Sequence, residues 1–202
     1  SGSGSTPNSS TPVIAQGDGG ENALFGGAGD DILDGGSGDD TIIALDGNDT
    51  TVGGSGRDVV DAGAGNDLIL GNSGDDVLNA GAGDDTVFGG SGRDRLSGGA
   101  GDDVLDGGAD RDVVEGGTGN DLFIASSGDG DDVYHGASGI DTLDMEATTA
   151  DITANLGQGG LVQSDETGID TIDGIENFKG GAGHDTIIAS SSINVLAGGA
   201  GN

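Results

Sequence analysis

The sequence of 202 residues has no cysteine and no tryptophan, and it has only one tyrosine, one methionine and five basic residues. Without cysteine it can form no disulfide, no thiolate metal site and no cysteine nucleophile. The 37 acidic residues give a formal net charge of −32. This charge disfavours nucleic acid and anionic membrane surfaces, because both are bound through Lys and Arg. The sequence has no apolar run of about 18 residues, so no membrane insertion is predicted. It also lacks an N-terminal basic-then-apolar signal peptide.

The sequence also has little material for a hydrophobic core. Apolar residues make up 32% of the chain and aromatic residues 2%. That is too little to fill a large sandwich, helical bundle or Rossmann domain. Low hydrophobicity with a high net charge is typical of disorder, unless something neutralises the acidic residues. The abundant residue is glycine, with 47 copies, and its placement is regular.

The chain divides into a linker, two runs of repeats and an interruption. Residues 1–16 are rich in Ser, Thr, Gly and Pro and are predicted to form a flexible linker. Residues 17–144 form nonapeptides such as GGAGDDILD and GGSGDDTII, with one two-residue slip at Ala125 and Ser126. Residues 180–202 form further repeats, the last one truncated. Residues 145–179 are not repeats, and we expect them to form an insertion that caps or flanks the repeat structure.

Two positions of the nonapeptide are almost constant in character. Position eight is apolar from Leu24 to Leu196, with Thr51 as the clear exception. Because alternate residues of a strand point to opposite faces, we expect position eight to face inward and positions seven and nine outward. Position six is aspartate in nearly every unit: Asp31, Asp40, Asp49, Asp58, Asp67, Asp76, Asp85, Asp94, Asp103, Asp112, Asp121, Asp132, Asp141 and Asp185.

This pattern, G-G-x-G-x-D-x-U-x, resembles the calcium-binding nonapeptide of the RTX (repeats-in-toxin), or haemolysin-type, family. More than a dozen units in register carry the resemblance, across residues 17–144 and 180–202. It implies an all-β fold, a parallel β-roll that is a right-handed, β-helix-like solenoid with Ca²⁺ in its turns. Positions one to six would form each turn and positions seven to nine a short strand. Two units would make one coil of 18 residues, so residues 17–144 predict a rod roughly 34 Å long at about 4.8 Å per coil.

Stacked coils would arrange the position-six aspartates in two columns, one from Asp31 to Asp141 and one from Asp40 to Asp132. Bare carboxylates at this spacing would repel one another. Ca²⁺ between them would reverse the sign of the interaction, because it is a hard cation that takes six to eight oxygen ligands. About twelve gaps, and so on the order of ten Ca²⁺ ions, would leave a net charge of about −8.

The resemblance also implies backbone ligands. The lower turn would contribute the carbonyls of positions two and four with its aspartate, and the upper turn those of positions one and three with its own. For the turns at Gly26 and Ala44 this set is Gly27, Gly29, Asp31, Ala44, Asp46 and Asp49. The glycine carbonyls expected to bind are those of Gly27, Gly29, Gly36, Gly38, Gly54, Gly56, Gly63, Gly65, Gly74, Gly81, Gly83, Gly90, Gly92, Gly99, Gly101, Gly117 and Gly119. The units ALDGND and GGADRD put non-glycine residues in the turn, where backbone strain would weaken binding. Asn22 is neutral, so we expect the first site to be the weakest.

Other metals and catalysis are disfavoured. Zn²⁺ has no thiolate ligand here, and His135 and His184 fall at positions nine and five, which should face solvent. Mg²⁺ prefers a smaller octahedral shell that keeps its waters. Paired carboxylates are used by glycosidases, but every Asp-Asp pair here occupies repeat positions. HExxH, GxSxG, P-loop and EF-hand patterns are absent, so no catalytic residue is predicted and the module is expected not to be an enzyme.

The two outer faces of the predicted roll differ. One carries an apolar column of Val52, Leu68, Leu70, Phe88, Val104, Leu122 and Ile124. The other carries Asp61, Asn79, Arg95, Ser97, Glu115 and His135. A contiguous apolar column favours a packing partner on the Leu68/Leu70/Phe88/Leu122/Ile124 face. The candidates are residues 145–179, a neighbouring domain or a second copy of the chain.

Three functions fit the sequence. The first is a Ca²⁺-folded, non-catalytic module of a secreted bacterial protein. The resemblance implies that such a module stays unfolded for type I secretion and folds in extracellular Ca²⁺. The export signal would then lie beyond Asn202. The second is an adhesin-type binding or spacer module, although Tyr134 is the only tyrosine available as a sugar platform. The third is the RTX part of a secreted protease, lipase or alginate epimerase, which would share the same fold. In each case the expected partners are Ca²⁺ and the rest of the parent protein.

Overall fold

The computed structural model describes residues 10–157, 159–191 and 194–200. These residues form twenty-one short strands and no helix, so none of them lies in a helix that could span a membrane. The strands are β1 (Ile14–Gln16), β2 (Ala23–Phe25), β3 (Ile32–Ser37), β4 (Thr41–Asp46), β5 (Thr50–Ser55), β6 (Val59–Ala64), β7 (Leu68–Ser73), β8 (Val77–Ala82), β9 (Thr86–Ser91), β10 (Arg95–Ala100), β11 (Val104–Ala109), β12 (Val113–Thr118), β13 (Leu122–Ile124), β14 (Val133–Ser138), β15 (Thr142–Asp144), β16 (Thr153–Asn155), β17 (Gly160–Ser164), β18 (Gly168–Asp173), β19 (Asn177–Lys179), β20 (Thr186–Ile188) and β21 (Leu196–Ala197).

The strands form two sheets that the chain visits in alternation. The first sheet has ten strands in the order β1-β3-β5-β7-β9-β11-β13-β15-β19-β21. The second has eleven, in the order β2-β4-β6-β8-β10-β12-β14-β18-β17-β16-β20. Each repeat strand pairs in parallel with the strand 18 residues later, as Thr51 does with Ile69 and Ile69 with Val87. The fold is therefore an all-β parallel solenoid of about ten turns with an 18-residue coil, which confirms the predicted β-roll architecture.

The core is a single layer of position-eight side chains between the sheets. Leu33, Ile69, Val87 and Leu105 are fully buried, as is Thr51, which interrupts the apolar pattern. The largest residues close the layer at one end of the repeats, where Phe123 and the following position-eight residue make a T-shaped ring contact at 5.7 Å. A core one side chain thick explains how so few apolar residues suffice.

The strands are longer than the nonapeptide suggests. Most repeat strands have six residues, from position seven to position three of the next unit. Position one therefore also faces inward, and Ala44, Ala62 and Ala80 are fully buried there. The prediction of a three-residue strand and a six-residue turn was wrong. The backbone keeps its ladder hydrogen bonds through the glycines, so the turn proper spans only positions four to six.

Positive φ angles mark the turns. Gly74, at position four, has a φ of 133°, and a Cβ there would collide with the carbonyl oxygen of Gly56 in the coil below. Leu45 and Asp110 adopt φ angles of 87° and 78° in the two units that lack the expected glycines. The predicted backbone strain is therefore present, at a cost of about 1–2 kcal/mol for each such residue.

The first strand corrects the predicted linker. Ile14–Gln16 form β1 and pair in parallel with Ile32–Asp34 of β3. Ala15 is 6% exposed and belongs to the core. These three residues are therefore part of the roll, because Ala15 is apolar and stands 18 residues before the buried Leu33.

The non-repeat segment lies within one sheet and covers neither face. β17 pairs antiparallel with β16 and with β18, which pairs with β14, so these strands extend the eleven-stranded sheet. Residues 145–179 were a candidate cover for the apolar column, and that assignment was wrong. The column does lie on one sheet, the ten-stranded one, where Leu68, Leu70, Leu122 and Ile124 are half-buried and Phe88 is exposed.

The same insertion opens the last coil. From β18 to β20 the second sheet advances three strands, whereas from β19 to β21 the first advances one. The two position-eight residues of this coil therefore do not meet across the core: Ile187 is half-buried and Leu196 is 41% exposed. The inward position predicted for Leu196 was wrong.

We predict that Gly74→Ala will destabilise the folded roll by about 3 kcal/mol or more, because it adds both a steric overlap and a φ that alanine rarely adopts. The control is Gly19→Ala, since a Cβ on Gly19 has no atom within 4 Å. Denaturant unfolding in Ca²⁺ measures both variants. Equal stability of the two variants would show that position four does not limit how closely the coils stack.

Candidate metal centres

The position-six aspartates form a hydrogen-bonded ladder along each edge of the roll. The backbone N–H of Asp67 donates to Oδ1 of Asp85 at 2.7 Å, and that of Asp85 donates to Oδ1 of Asp103 at 2.9 Å. The same bond joins all neighbours within the two predicted columns. One column is Asp31, Asp49, Asp67, Asp85, Asp103, Asp121 and Asp141; the other is Asp40, Asp58, Asp76, Asp94, Asp112 and Asp132.

Both columns continue beyond their predicted ends. Asp132 N–H donates to Oδ1 of Asp170 at 3.0 Å, so the degenerate turn before β18 extends one column. Asp141 N–H donates to Oε2 of Glu176 at 3.0 Å, so a glutamate extends the other. The sequence analysis missed Glu176 because it lies outside the nonapeptide register.

The second oxygen of these carboxylates is buried and accepts no hydrogen bond. This holds for Oδ2 of thirteen position-six aspartates: Asp40, Asp49, Asp58, Asp67, Asp76, Asp85, Asp94, Asp103, Asp112, Asp121, Asp141, Asp170 and Asp185. The exceptions are Asp31, whose Oδ2 accepts from Gly27 N–H at 2.6 Å, and Asp132, whose Oδ2 accepts from the Tyr134 hydroxyl at 2.9 Å. Burying an unpaired carboxylate oxygen is costly, so such a regular set calls for a ligand that the chain itself does not supply.

Carbonyl oxygens converge on these carboxylates. A Cβ placed on Gly71 would lie 2.6 Å from Asp76 Oδ2 and 2.5 Å from the carbonyl oxygen of Gly89 in the next coil. A Cβ on Gly35 would lie at the same short range from Asp40 Oδ2 and the Gly53 carbonyl. These distances match calcium–oxygen separations of about 2.3–2.6 Å. The glycine units therefore leave a cradle lined by hard oxygen donors, and such a donor set fits Ca²⁺.

The glycine carbonyls at positions two and four point toward the coil above. A Cβ on Gly54 would collide with the Gly36 carbonyl, and one on Gly56 with the Gly38 carbonyl. The predicted backbone ligands thus lie in the gaps between turns. Among the described residues, no three Asp, Glu or His side chains form a metal centre on their own. Any ion in these gaps would need the carbonyl oxygens as well.

Asp185 lies apart from the other predicted ligands. Its Oδ1 accepts from Ile152 N–H at 3.0 Å, and strands β17 and β16 separate its turn from that of Asp170. The sequence pattern around Asp185 is regular, but the antiparallel insertion moves it out of the column. The structure therefore does not bring Asp185 next to the other position-six aspartates.

Burial raises the pKa values of the ladder carboxyls. The pKa of Asp112 rises to about 8 and that of Asp103 to about 7, mainly through loss of solvation and next through the charges of neighbouring aspartates. The pKa values of Asp67, Asp76 and Asp94 rise to about 6 for the same first reason. The turns therefore hold these groups in an environment that opposes negative charge when no cation is bound.

Position five carries a second ladder that the sequence analysis did not identify. Asp84 N–H donates to Oδ1 of Asn66 at 3.0 Å, and Asn66 N–H donates to Oδ1 of Asn48 at 2.8 Å. These bonds run in the opposite chain direction to those of position six, and the side chains are exposed. On the other edge Arg93 pairs with Asp75 at 2.9 Å. The first aspartate of each Asp-Asp pair on the Asn48 edge therefore serves the surface, and the second serves the gap.

Acid should stabilise the metal-free roll. A carboxyl whose pKa is higher in the folded state than in the unfolded chain stabilises folding below its unfolded pKa of about 4 and loses that effect as the pH rises through its folded value. For Asp103 and Asp112 the folded values are about 7 and 8. We predict that in EDTA the β-structure will increase as the pH falls from 8 to 5, measured by circular dichroism. A metal-free roll that is more stable at pH 8 than at pH 5 would contradict this assignment.

Comparison with known proteins agrees with this geometry. No curated protein matches the chain. A family model for the RTX calcium-binding nonapeptide repeat (four copies) matches residues 16–51, 52–87, 88–123, 125–143 and 179–202. The matched segments cover about three quarters of the sequence, and their largest gap falls on the non-repeat strands. The chain therefore belongs to the RTX calcium-binding nonapeptide repeat family.

Proposed function

We propose that this chain is a non-catalytic module that folds when Ca²⁺ binds between its stacked turns. The observation that carries the proposal is the set of thirteen buried Oδ2 atoms without a hydrogen-bond partner. The ligands would be these oxygens together with the turn carbonyls at positions one to four. The number of ions would be about one for each gap between stacked turns, on the order of ten.

The coupling of binding to folding follows from how the sites are built. Asp76 Oδ2 and the Gly89 carbonyl belong to different coils, so neither edge of the cradle exists until the coils stack. Bound Ca²⁺ would supply the positive charge that the buried carboxylates lack. Without it, burial and mutual repulsion oppose stacking, and a core one side chain thick cannot offset both. The free energy of ion binding is then also free energy of folding.

This behaviour suits a protein that crosses a membrane unfolded and works outside the cell. Low cytosolic Ca²⁺ would leave the chain extended during type I secretion, and higher extracellular Ca²⁺ would fold it. RTX repeats are typical of secreted bacterial proteins and are themselves typically non-catalytic. The module would then support the folding and stability of a larger secreted protein.

Two other functions use the same roll. An adhesin-type binding or spacer module is favoured by the half-buried apolar column around Leu70, which would need a partner outside the repeats. The non-catalytic part of a secreted protease, lipase or epimerase would have the same turns. Activity measured on the parent protein with and without the module separates these alternatives.

Ca²⁺ should control the fold cooperatively. We predict that β-structure, followed by circular dichroism at neutral pH, will appear at roughly 0.1–1 mM Ca²⁺, the range of extracellular calcium modules. EDTA should abolish it, and Mg²⁺ at the same concentration serves as the control cation. A spectrum that is folded and unchanged in EDTA would falsify the proposal.

Neighbouring aspartates of one pair should respond differently to neutralisation. Asp85→Asn keeps the Oδ1 acceptor for Asp67 N–H but removes the charge in the gap, whereas Asp84→Asn removes an exposed charge on the outer ladder. We predict that Asp85→Asn will raise the Ca²⁺ midpoint at least about fivefold, since it weakens the sites above and below. Asp84→Asn should shift it less than about twofold. Equal shifts would show that general charge, rather than the gap, controls binding.

A further inference from the structure

The two-residue slip in the repeat register builds a turn found in no other unit. Ala125 and Ser126 lengthen the connection after β13, and Asp129 N–H donates to the Ser126 carbonyl at 3.3 Å. Gly128, with a φ of 88°, occupies this turn and donates its N–H to the Glu166 carbonyl at 2.8 Å. The slip thus places the turn against the segment that leads into β18.

This turn directs an extra carboxylate inward. Asp129 stands at position three of its unit, and the position-three aspartates of two other units, Asp18 and Asp46, are exposed. Asp129 is 2% exposed, and neither of its carboxylate oxygens accepts a hydrogen bond. No position-six ladder bond satisfies it, since it lies outside that ladder. A fully buried carboxylate with both oxygens unpaired is the largest unmet polar demand in this part of the molecule.

Two ladder carboxylates share its surroundings. Asp132 and Asp170 are both buried, and the Oδ2 of Asp170 accepts no hydrogen bond. Burial raises the pKa of Asp129 to about 8, and the charges of Asp132 and Asp170 are the next causes. The Tyr134 hydroxyl donates to Asp132 Oδ2 at 2.9 Å from inside the core. The surroundings therefore supply hard oxygen atoms and negative charge, and no basic side chain is among the causes of the shift.

We propose that Asp129 makes the gap between the Asp132 turn and the Asp170 turn a reinforced Ca²⁺ site, with a third carboxylate added to the repeat pair. It rests on the proposed function and extends it, because this gap joins the roll to the non-repeat strand β18. The carbonyl oxygens of the two turns complete the shell, as they do elsewhere in the roll.

The added charge sets this site apart from the repeats. Ca²⁺ affinity rises with the number of carboxylate ligands and the rigidity of the site. Asp132 is held by the Tyr134 hydroxyl and Asp170 by the N–H of Asp132, so both are already oriented. This site therefore binds Ca²⁺ before the two-carboxylate sites do, and it fixes β18 against β14 at the start of the insertion.

The sequence provides a local probe for this site. Tyr134 is the only tyrosine in the chain, and there is no tryptophan. Terbium, a trivalent substitute for Ca²⁺, emits strongly when an excited tyrosine close to it transfers its energy. Tyrosine-sensitised emission from the full chain therefore reports ions near Tyr134 and not those in distant coils. Asp129→Asn is the test variant, Asp129→Glu restores the charge, and Asp46→Asn is the matched position-three control.

We expect sensitised emission of the wild-type protein to saturate at lower Tb³⁺ than the circular dichroism change. Asp129→Asn should raise the emission midpoint about tenfold, the loss of about 1.4 kcal/mol, while Asp46→Asn leaves it unchanged. Asp129→Glu should stay closer to wild type than Asp129→Asn. Equilibrium dialysis with Ca²⁺ just sufficient to saturate the wild-type emission site should show one ion fewer bound to Asp129→Asn.

Failure of this site differs from failure of the module. Equal emission midpoints for Asp129→Asn and wild type would overturn the site while leaving Ca²⁺-dependent folding intact. An Asp129→Asn variant that does not fold at saturating Ca²⁺ while Asp129→Glu does would support the requirement for charge. A wild-type chain whose circular dichroism ignores Ca²⁺ would overturn the proposed function itself.

Discussion

The roll depends on carboxylates that the protein only half satisfies. Each ladder aspartate accepts a backbone N–H from the preceding coil on Oδ1, which fixes its position and the spacing of the coils. Its Oδ2 is left buried beside the carbonyls of the next coil. A purely structural ladder would need only the first bond, as the exposed position-five ladder shows. The second oxygen makes the same element depend on an outside cation, so the fold and the site are one arrangement.

Glycine is what allows this arrangement to be dense. At position one, a Cβ would enter the space between the carboxylate and the next coil's carbonyl, as at Gly71. At position four, the backbone itself has a positive φ and lies against the coil below, as at Gly74. The reason for glycine therefore differs between positions, one spatial and one conformational. Where the chain departs from glycine, as at Leu45, the coil survives with local strain.

The sequence predicted what its period encodes. The 18-residue coil, both aspartate columns and the buried position eight follow from spacing alone, because each is the same contact repeated. What it missed breaks the period: the pairing of β17 between β16 and β18 exposes Leu196 and removes Asp185 from its column. Glu176 and Asp129 lie off register, and only the fold brings them to the turns. The position-five ladder was hidden for another reason, since Asp and Asn there read as ordinary surface residues.

The opposed directions of the two ladders have a consequence for how such a chain can change over evolution. Every ladder bond in the repeats joins equivalent positions of coils one full turn apart, so duplicating or deleting 18 residues preserves all of them. A change of nine residues would instead exchange the edges beyond it, and it would move the residues after Leu70 onto the polar face. The nonapeptide is the visible repeat, but the heritable unit of length is the pair.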